Sequence, residues 1–101
     1  IDFAALSDWP DNDVITCLTA VPGIGSWTSE VYAMFALGRP DIFAHGDLAL
    51  QESARVLFEF PKRPTQTEMR VIAKEWSPYR AVAARLLWAY YRIIKAKEGI
   101  V

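Results

Sequence analysis

Proline and glycine break this chain at Pro10, at 22–25, at 38–40, and at Gly46, Pro61, Pro64 and Pro78, and between the breaks apolar residues recur every three or four positions. That spacing places apolar side chains on one face of a helix, whereas a half-buried strand would alternate at every second residue, which no stretch does cleanly. The chain therefore reads as all-α: a bundle of five or six helices joined by short turns, forming a single domain or domain fragment over 1–101. No internal repeat and no low-complexity stretch complicates this reading.

Local signals delimit the helices. The first is expected over 11–18, where Asp11 and Asp13 suit the positive end of the helix dipole, and it stops before Pro22. A second starts after Gly25 with Ser26 as its cap, carries Trp27, Val31, Ala33, Met34 and Leu37, and ends at Gly38. After the loop 39–46 a third opens near Asp47 and carries Leu48, Leu50, Ala54, Leu57 and Phe58 until Pro61 and Pro64 close it. Thr65 with Glu68 three residues on makes a capping box, which launches a fourth helix through Met69, Val71, Ile72 and Trp76. Ser77 and Pro78 read as cap and first-turn residue of the last helix, which runs through Ala83, Leu87, Trp88 and Tyr91 to Lys97.

Composition excludes several classes. A hydrophobic fraction of 52%, with four Trp, four Tyr and five Phe, is too apolar for a disordered segment. The lone Cys17 cannot form an internal disulfide, and an iron–sulfur cluster needs four cysteine ligands, so an intracellular protein without a cluster is expected. No apolar run reaches the roughly 20 residues of a membrane span and the N-terminus lacks the basic region of a signal peptide, which predicts a soluble, cytoplasmic protein without a membrane partner. The sequence opens at Ile1 rather than Met, which suggests a segment whose N-terminal partner is missing. Net charge is only -1, but residues 1–50 carry seven acidic residues and one Arg, while 51–101 carry ten Lys or Arg and five Glu. A nucleic-acid partner would thus meet backbone groups in the first half and cationic side chains in the second.

The loop 21–25, Val-Pro-Gly-Ile-Gly, lies between two expected helices, and its glycines permit a tight turn with bare amides. It is either an ordinary interhelical turn or an anion site in which the amides of Gly23, Gly25 and Ser26 hold a phosphate at a helix N-terminus. Its continuation distinguishes the two. The run Val-Pro-Gly-Ile-Gly-Ser-Trp-Thr over 21–28, Leu-Gly-Arg-Pro-Asp-Ile-Phe over 37–43, Gly-Asp-Leu-Ala-Leu over 46–50, and Trp-Ser-Pro-Tyr-Arg-Ala-Val-Ala-Ala-Arg-Leu-Leu-Trp over 76–88 together resemble the helix-hairpin-helix DNA glycosylase superfamily, in particular its bacterial 3-methyladenine DNA glycosylase II branch. The resemblance covers most of residues 5–92, with the hairpin over about 11–37, the catalytic loop and helix over 39–58, and the C-terminal helices over 65–97.

The resemblance implies base excision repair: hydrolysis of the N-glycosidic bond of alkylated purines of the 3-methyladenine type in damaged double-stranded DNA. It places the catalytic carboxylate at Asp47, where a helix N-terminus favours negative charge. Loss of the base develops positive charge on the deoxyribose, which a fixed carboxylate stabilises, and an alkylated purine leaves without a strong general acid. Trp27 occupies the position at which bifunctional relatives carry a Schiff-base Lys, and 21–60 contains no Lys, so a monofunctional reaction with water as nucleophile is expected. The target base must leave the stack; Trp27 and Trp88 match the pocket aromatics of the family and Tyr32 and Tyr79 are expected to add to the wall, with core packing as the alternative for each. An indole face over a cationic base contributes roughly 0.5–2 kcal/mol. No cofactor is required, although the family's monovalent cation (Na⁺ or K⁺) would fall on the main-chain carbonyls of Thr19, Val21 and Ile24. Ala44 and His45 depart from the family's Pro-x-Gly-Asp, and His45 reads as a loop residue near the DNA. Trp9 and Trp76 read as packing residues. The alternatives are a noncatalytic hairpin module, which needs neither Asp47 nor the indoles, and an endonuclease III-like lyase, which needs the absent Lys and cysteines.

Overall fold

A computed structural model describes residues 8–99, so residues 5–7 of the matched span lie outside the described part, as do both chain ends. Among the described residues five α-helices follow one another: α1 (Asp11–Thr19), α2 (Ser26–Phe35), α3 (Leu48–Leu57), α4 (Gln66–Ala73) and α5 (Arg80–Lys97), with a 3-10 turn, Lys74–Trp76, between the last two. No strand occurs among the described residues. The all-α expectation holds.

Most helix ends follow the local signals. Thr65 Oγ1 accepts from the Glu68 N–H (3.1 Å) and Glu68 Oε1 accepts from the Thr65 N–H (2.9 Å), the reciprocal box that starts α4. Gly38, at φ +66°, lets the Arg39 N–H turn back to the Ala33 carbonyl (3.0 Å), so it closes α2 from three residues beyond the last helical position.

Two starts differ from expectation. Gly25, not Ser26, occupies the cap of α2; Ser26 is already helical, and the Ser29 hydroxyl donates back to the Gly25 carbonyl (3.0 Å). Helix α5 begins at Arg80, two residues past Pro78, because its capping partner comes from elsewhere in the chain. Asp41 accepts from Arg80 Nε and Nη2 (both 2.8 Å), from the Ser77 hydroxyl (2.8 Å) and, more loosely, from the Arg80 N–H (3.4 Å). An anion at this helix N-terminus satisfies an amide that Ser77 would otherwise have capped.

Those bonds tie the loop after α2 to the start of α5, and they carry a pH signature. The Arg80 guanidinium holds the Asp41 carboxyl below its ordinary 3.8, against the opposing effect of partial burial. Its contribution to stability is thus full above that ordinary value and is lost as the pH falls through the lowered one. Asp41→Ala is expected to cost about 2 kcal/mol at neutral pH and to flatten the acid side of the stability curve, as urea titrations between pH 7 and pH 2 would record.

The core lies where α1 and α2 meet and where α3 crosses α5. Val14, Leu18, Ala33, Met34, Phe43, Leu50, Ala54, Met69, Ala84 and Leu87 are all buried in it. Ala54 on α3 and Ala84 on α5 are small enough to let the two axes approach, and between them the Ser53 hydroxyl donates to the Leu87 carbonyl (2.8 Å) in a fully buried setting. Trp76 packs as expected, its ring 5.6 Å from Phe43 and 6.4 Å from Phe58. The Trp9 ring does not: it is 41% exposed, and its residue contributes a main-chain carbonyl to Arg39 instead. No helix among the described residues is long and apolar enough to cross a membrane.

Candidate active site

Three elements converge on one carboxylate. Asp47 is the N-cap of α3, and its Oδ2 accepts from the Leu50 N–H (3.1 Å), the bond that a short acidic side chain makes at a helix start. Trp27, in the first turn of α2, donates its indole Nε1–H to Asp47 Oδ1 (2.8 Å). Trp88, midway along α5, donates its own to Oδ2 (3.0 Å). An ionised carboxylate offers about four acceptor sites. The three N–H groups fill both on Oδ2 and one on Oδ1, leaving one on Oδ1 without a donor among the described residues.

The resemblance groups Asp47 with Trp27 and Trp88 and implies that the indole faces stack on the base. In the structure their N–H edges grip the carboxylate, while Trp27 remains 48% exposed. A shallow recess of about 260 Å³ lies against Trp27, lined by Gly46, Asp47, Leu48 and Ala49. A second, of about 590 Å³, lies against Trp88 and is lined by Phe35, Arg85, Tyr91 and Arg92. The Phe35 and Trp88 rings sit 5.5 Å apart, and the Arg85 guanidinium lies 5.3 Å over Phe35. Tyr32 and Tyr79 line neither recess. Tyr79 instead caps α5 with its backbone, its side chain exposed. Phe35, Arg85, Tyr91 and Arg92 were missed in the sequence, although Arg85, Trp88 and Arg92 recur at three- and four-residue spacing along one face of α5.

His45 lies on the loop as expected, but its side chain is buried, with Nδ1 3.1 Å from Oε2 of Glu30 on α2, itself buried. The segment 42–45 runs inside the core, so the side chain two residues before Asp47 turns inward.

At the hairpin, Gly23 takes φ +87°, and Gly23, Gly25 and Ser26 are exposed with N–H groups that make no hydrogen bond among the described residues. The Val21 carbonyl accepts from the Ile24 N–H (3.1 Å), whereas the Thr19 and Ile24 carbonyls accept no hydrogen bond among the described residues. Bare amides and bare carbonyls thus occupy one exposed turn beside α2.

No family model matches the chain. It is 37% identical over 87 residues to YfjP of Bacillus subtilis, a protein named for DNA-3-methyladenine glycosylase activity, covering 83% of the chain and 30% of that protein. The structure of a Bacillus halodurans DNA-3-methyladenine glycosidase superposes with a TM-score of 0.82 at 37% identity, over 90% of this chain and 42% of that one. The Schizosaccharomyces pombe 3-methyladenine DNA glycosylase Mag1, solved in complex with abasic DNA, gives 0.78 at 32% identity, over 84% and 41%. The chain spans less than half the length of each of the three. At 32–37% identity, and superposing over 84–90% of its length on the two solved enzymes, the chain belongs to the helix-hairpin-helix DNA glycosylase superfamily, on the 3-methyladenine branch.

Proposed function

We propose that the protein acts in base excision repair, as a monofunctional glycosylase that hydrolyses the N-glycosidic bond of alkylated purines in double-stranded DNA. The observation that carries this reading is the Asp47 carboxylate, fixed by N–H groups from α2, α3 and α5 with one acceptor site unused. As the glycosidic bond breaks, its electron pair leaves with the cationic base, which departs neutral, and positive charge develops on the sugar. A carboxylate that cannot reorient stabilises that charge without reorganisation. The free site on Oδ1 accepts a hydrogen bond from water, orients it towards the sugar carbon and takes its proton as the new C–O bond forms. The product is an abasic site on an intact strand.

Trp27 in place of a Lys supports water rather than an amine as nucleophile. The exposed Trp27 and the recess against Trp88 offer stacking surface for the extruded base. The amides of Gly23, Gly25 and Ser26 suit a DNA phosphate at the start of α2, and the abasic-DNA complex of Mag1 supports DNA as the partner. The carbonyls of Thr19, Val21 and Ile24 are neutral oxygens of the kind that would hold a monovalent cation, which would add positive charge near that phosphate. The rest of the binding surface comes from the part of the enzyme that its relatives have in addition to this span.

The full-length protein, incubated with methylated duplex DNA, is expected to release 3-methyladenine and 7-methylguanine. The strand should stay uncut until alkali is added, and borohydride should trap no protein–DNA adduct. Strand cleavage without alkali or a trapped adduct would replace hydrolysis with lyase chemistry. No released base at all would remove the enzymatic reading.

A further inference from the structure

The loop that presents Asp47 is neither helix nor strand: the Ala81 N–H of α5 reaches its Pro40 carbonyl (2.9 Å), but from Phe43 on its backbone bonds are local, His45 N–H to the Phe43 carbonyl (3.0 Å) and Asp47 N–H to the Ala44 carbonyl (3.1 Å). Helix α2 holds it at two points. Trp27 donates to Asp47, and Glu30, three residues later on the same helical face, pairs with His45. The four residues close a ring that runs from Asp47 through the backbone to His45, across to Glu30, back one turn of α2 to Trp27, and across again to Asp47. From the other side, Gln51 of α3 donates its Nε2–H to the His45 carbonyl (3.3 Å).

Stability does not account for the pair. Glu30 and His45 are each only 6% exposed, and Glu30 Oε1 and His45 Nε2 are buried without a partner among the described residues. A buried polar pair left short of partners stabilises a fold less than apolar side chains of equal volume. What it does supply is direction, because a hydrogen bond between two buried side chains sets the rotation of the loop about α2.

We propose that Glu30 and His45 are positioning residues, which fix Asp47 between the two indoles by tying its loop to α2; the role rests on Asp47 being the catalytic carboxylate. In the full-length protein, the double variant Glu30→Leu/His45→Leu keeps apolar volume in place of the pair and is expected to melt no lower than the parent. Its single-turnover rate of base release should nevertheless fall about 10- to 100-fold, while its affinity for damaged duplex, set at the untouched hairpin, stays unchanged. Glu30→Gln retains length and an acceptor oxygen for Nδ1, and should restore the rate.

A second readout does not depend on catalysis. The indole Nε1–H resonances of Trp27 and Trp88, assigned with Trp27→Phe and Trp88→Phe, should shift in the double variant and return in Glu30→Gln. A double variant with the parent's rate, or with the parent's indole resonances, overturns the proposal. Should the double variant not fold, Glu30→Ala set against Glu30→Gln is scored by the same two measurements. If the parent itself releases no base, the enzymatic reading fails and the resonances alone decide the positioning: displaced, it stands; unmoved, it falls.

Discussion

Asp47→Asn in the full-length protein should abolish base release while leaving the fold and the affinity for DNA in place. The amide matches the carboxylate in size, and Asn is among the best N-cap residues, so its oxygen can keep the Leu50 N–H bond. Yet it brings one acceptor oxygen and one NH₂ group to a site where three N–H donors converge. One side of the amide must then set a donor against an indole donor, and no negative charge remains to face the sugar. A loss of at least about 100- to 1000-fold in single-turnover rate follows. The hairpin amides are untouched, so fluorescence anisotropy on damaged duplex should give the parent's affinity. A variant that excises within tenfold of the parent would remove Asp47 from the chemistry.

The second large effect is on stability. Phe43→Ala should destabilise the protein by about 3–5 kcal/mol, lowering the melting temperature by roughly 12 °C or more for a domain of this size. Phe43 is 1% exposed and touches both the Trp76 ring (5.6 Å) and the His45 ring (5.5 Å). It is the anchor beneath the loop that carries Asp47. Thermal unfolding followed by circular dichroism reads the effect, and a shift of only a degree or two would mean that the loop is not part of the core.

How much of this was legible beforehand follows from the range over which each signal acts. The capping box at Thr65 and Glu68, the stop at Gly38 and the cap at Asp47 rest on residues within a turn of one another, so the sequence displays them directly. The start of α5 does not, since its capping carboxylate, Asp41, lies 39 residues before Arg80 and only tertiary folding brings them together. The pairing of Glu30 with His45 is likewise not legible, since 15 positions separate them and only the fold brings the buried segment 42–45 against α2. The indoles illustrate an intermediate case. Spacing and resemblance brought Trp27 and Trp88 to Asp47, but whether an indole offers its face or its N–H edge depends on a side-chain rotation that no pattern records.

The bond from Ser53 to the Leu87 carbonyl sets the register of the active centre. Because the acceptor immediately precedes Trp88, the hydroxyl fixes how far α5 can travel along α3, and α3 carries Asp47 at its tip. A slip of one helical turn, about 5.4 Å, would take the Trp88 indole out of reach of the carboxylate while leaving the apolar face largely matched. A single buried hydroxyl thus works as a detent, adding a directional bond to an apolar contact that has no direction of its own.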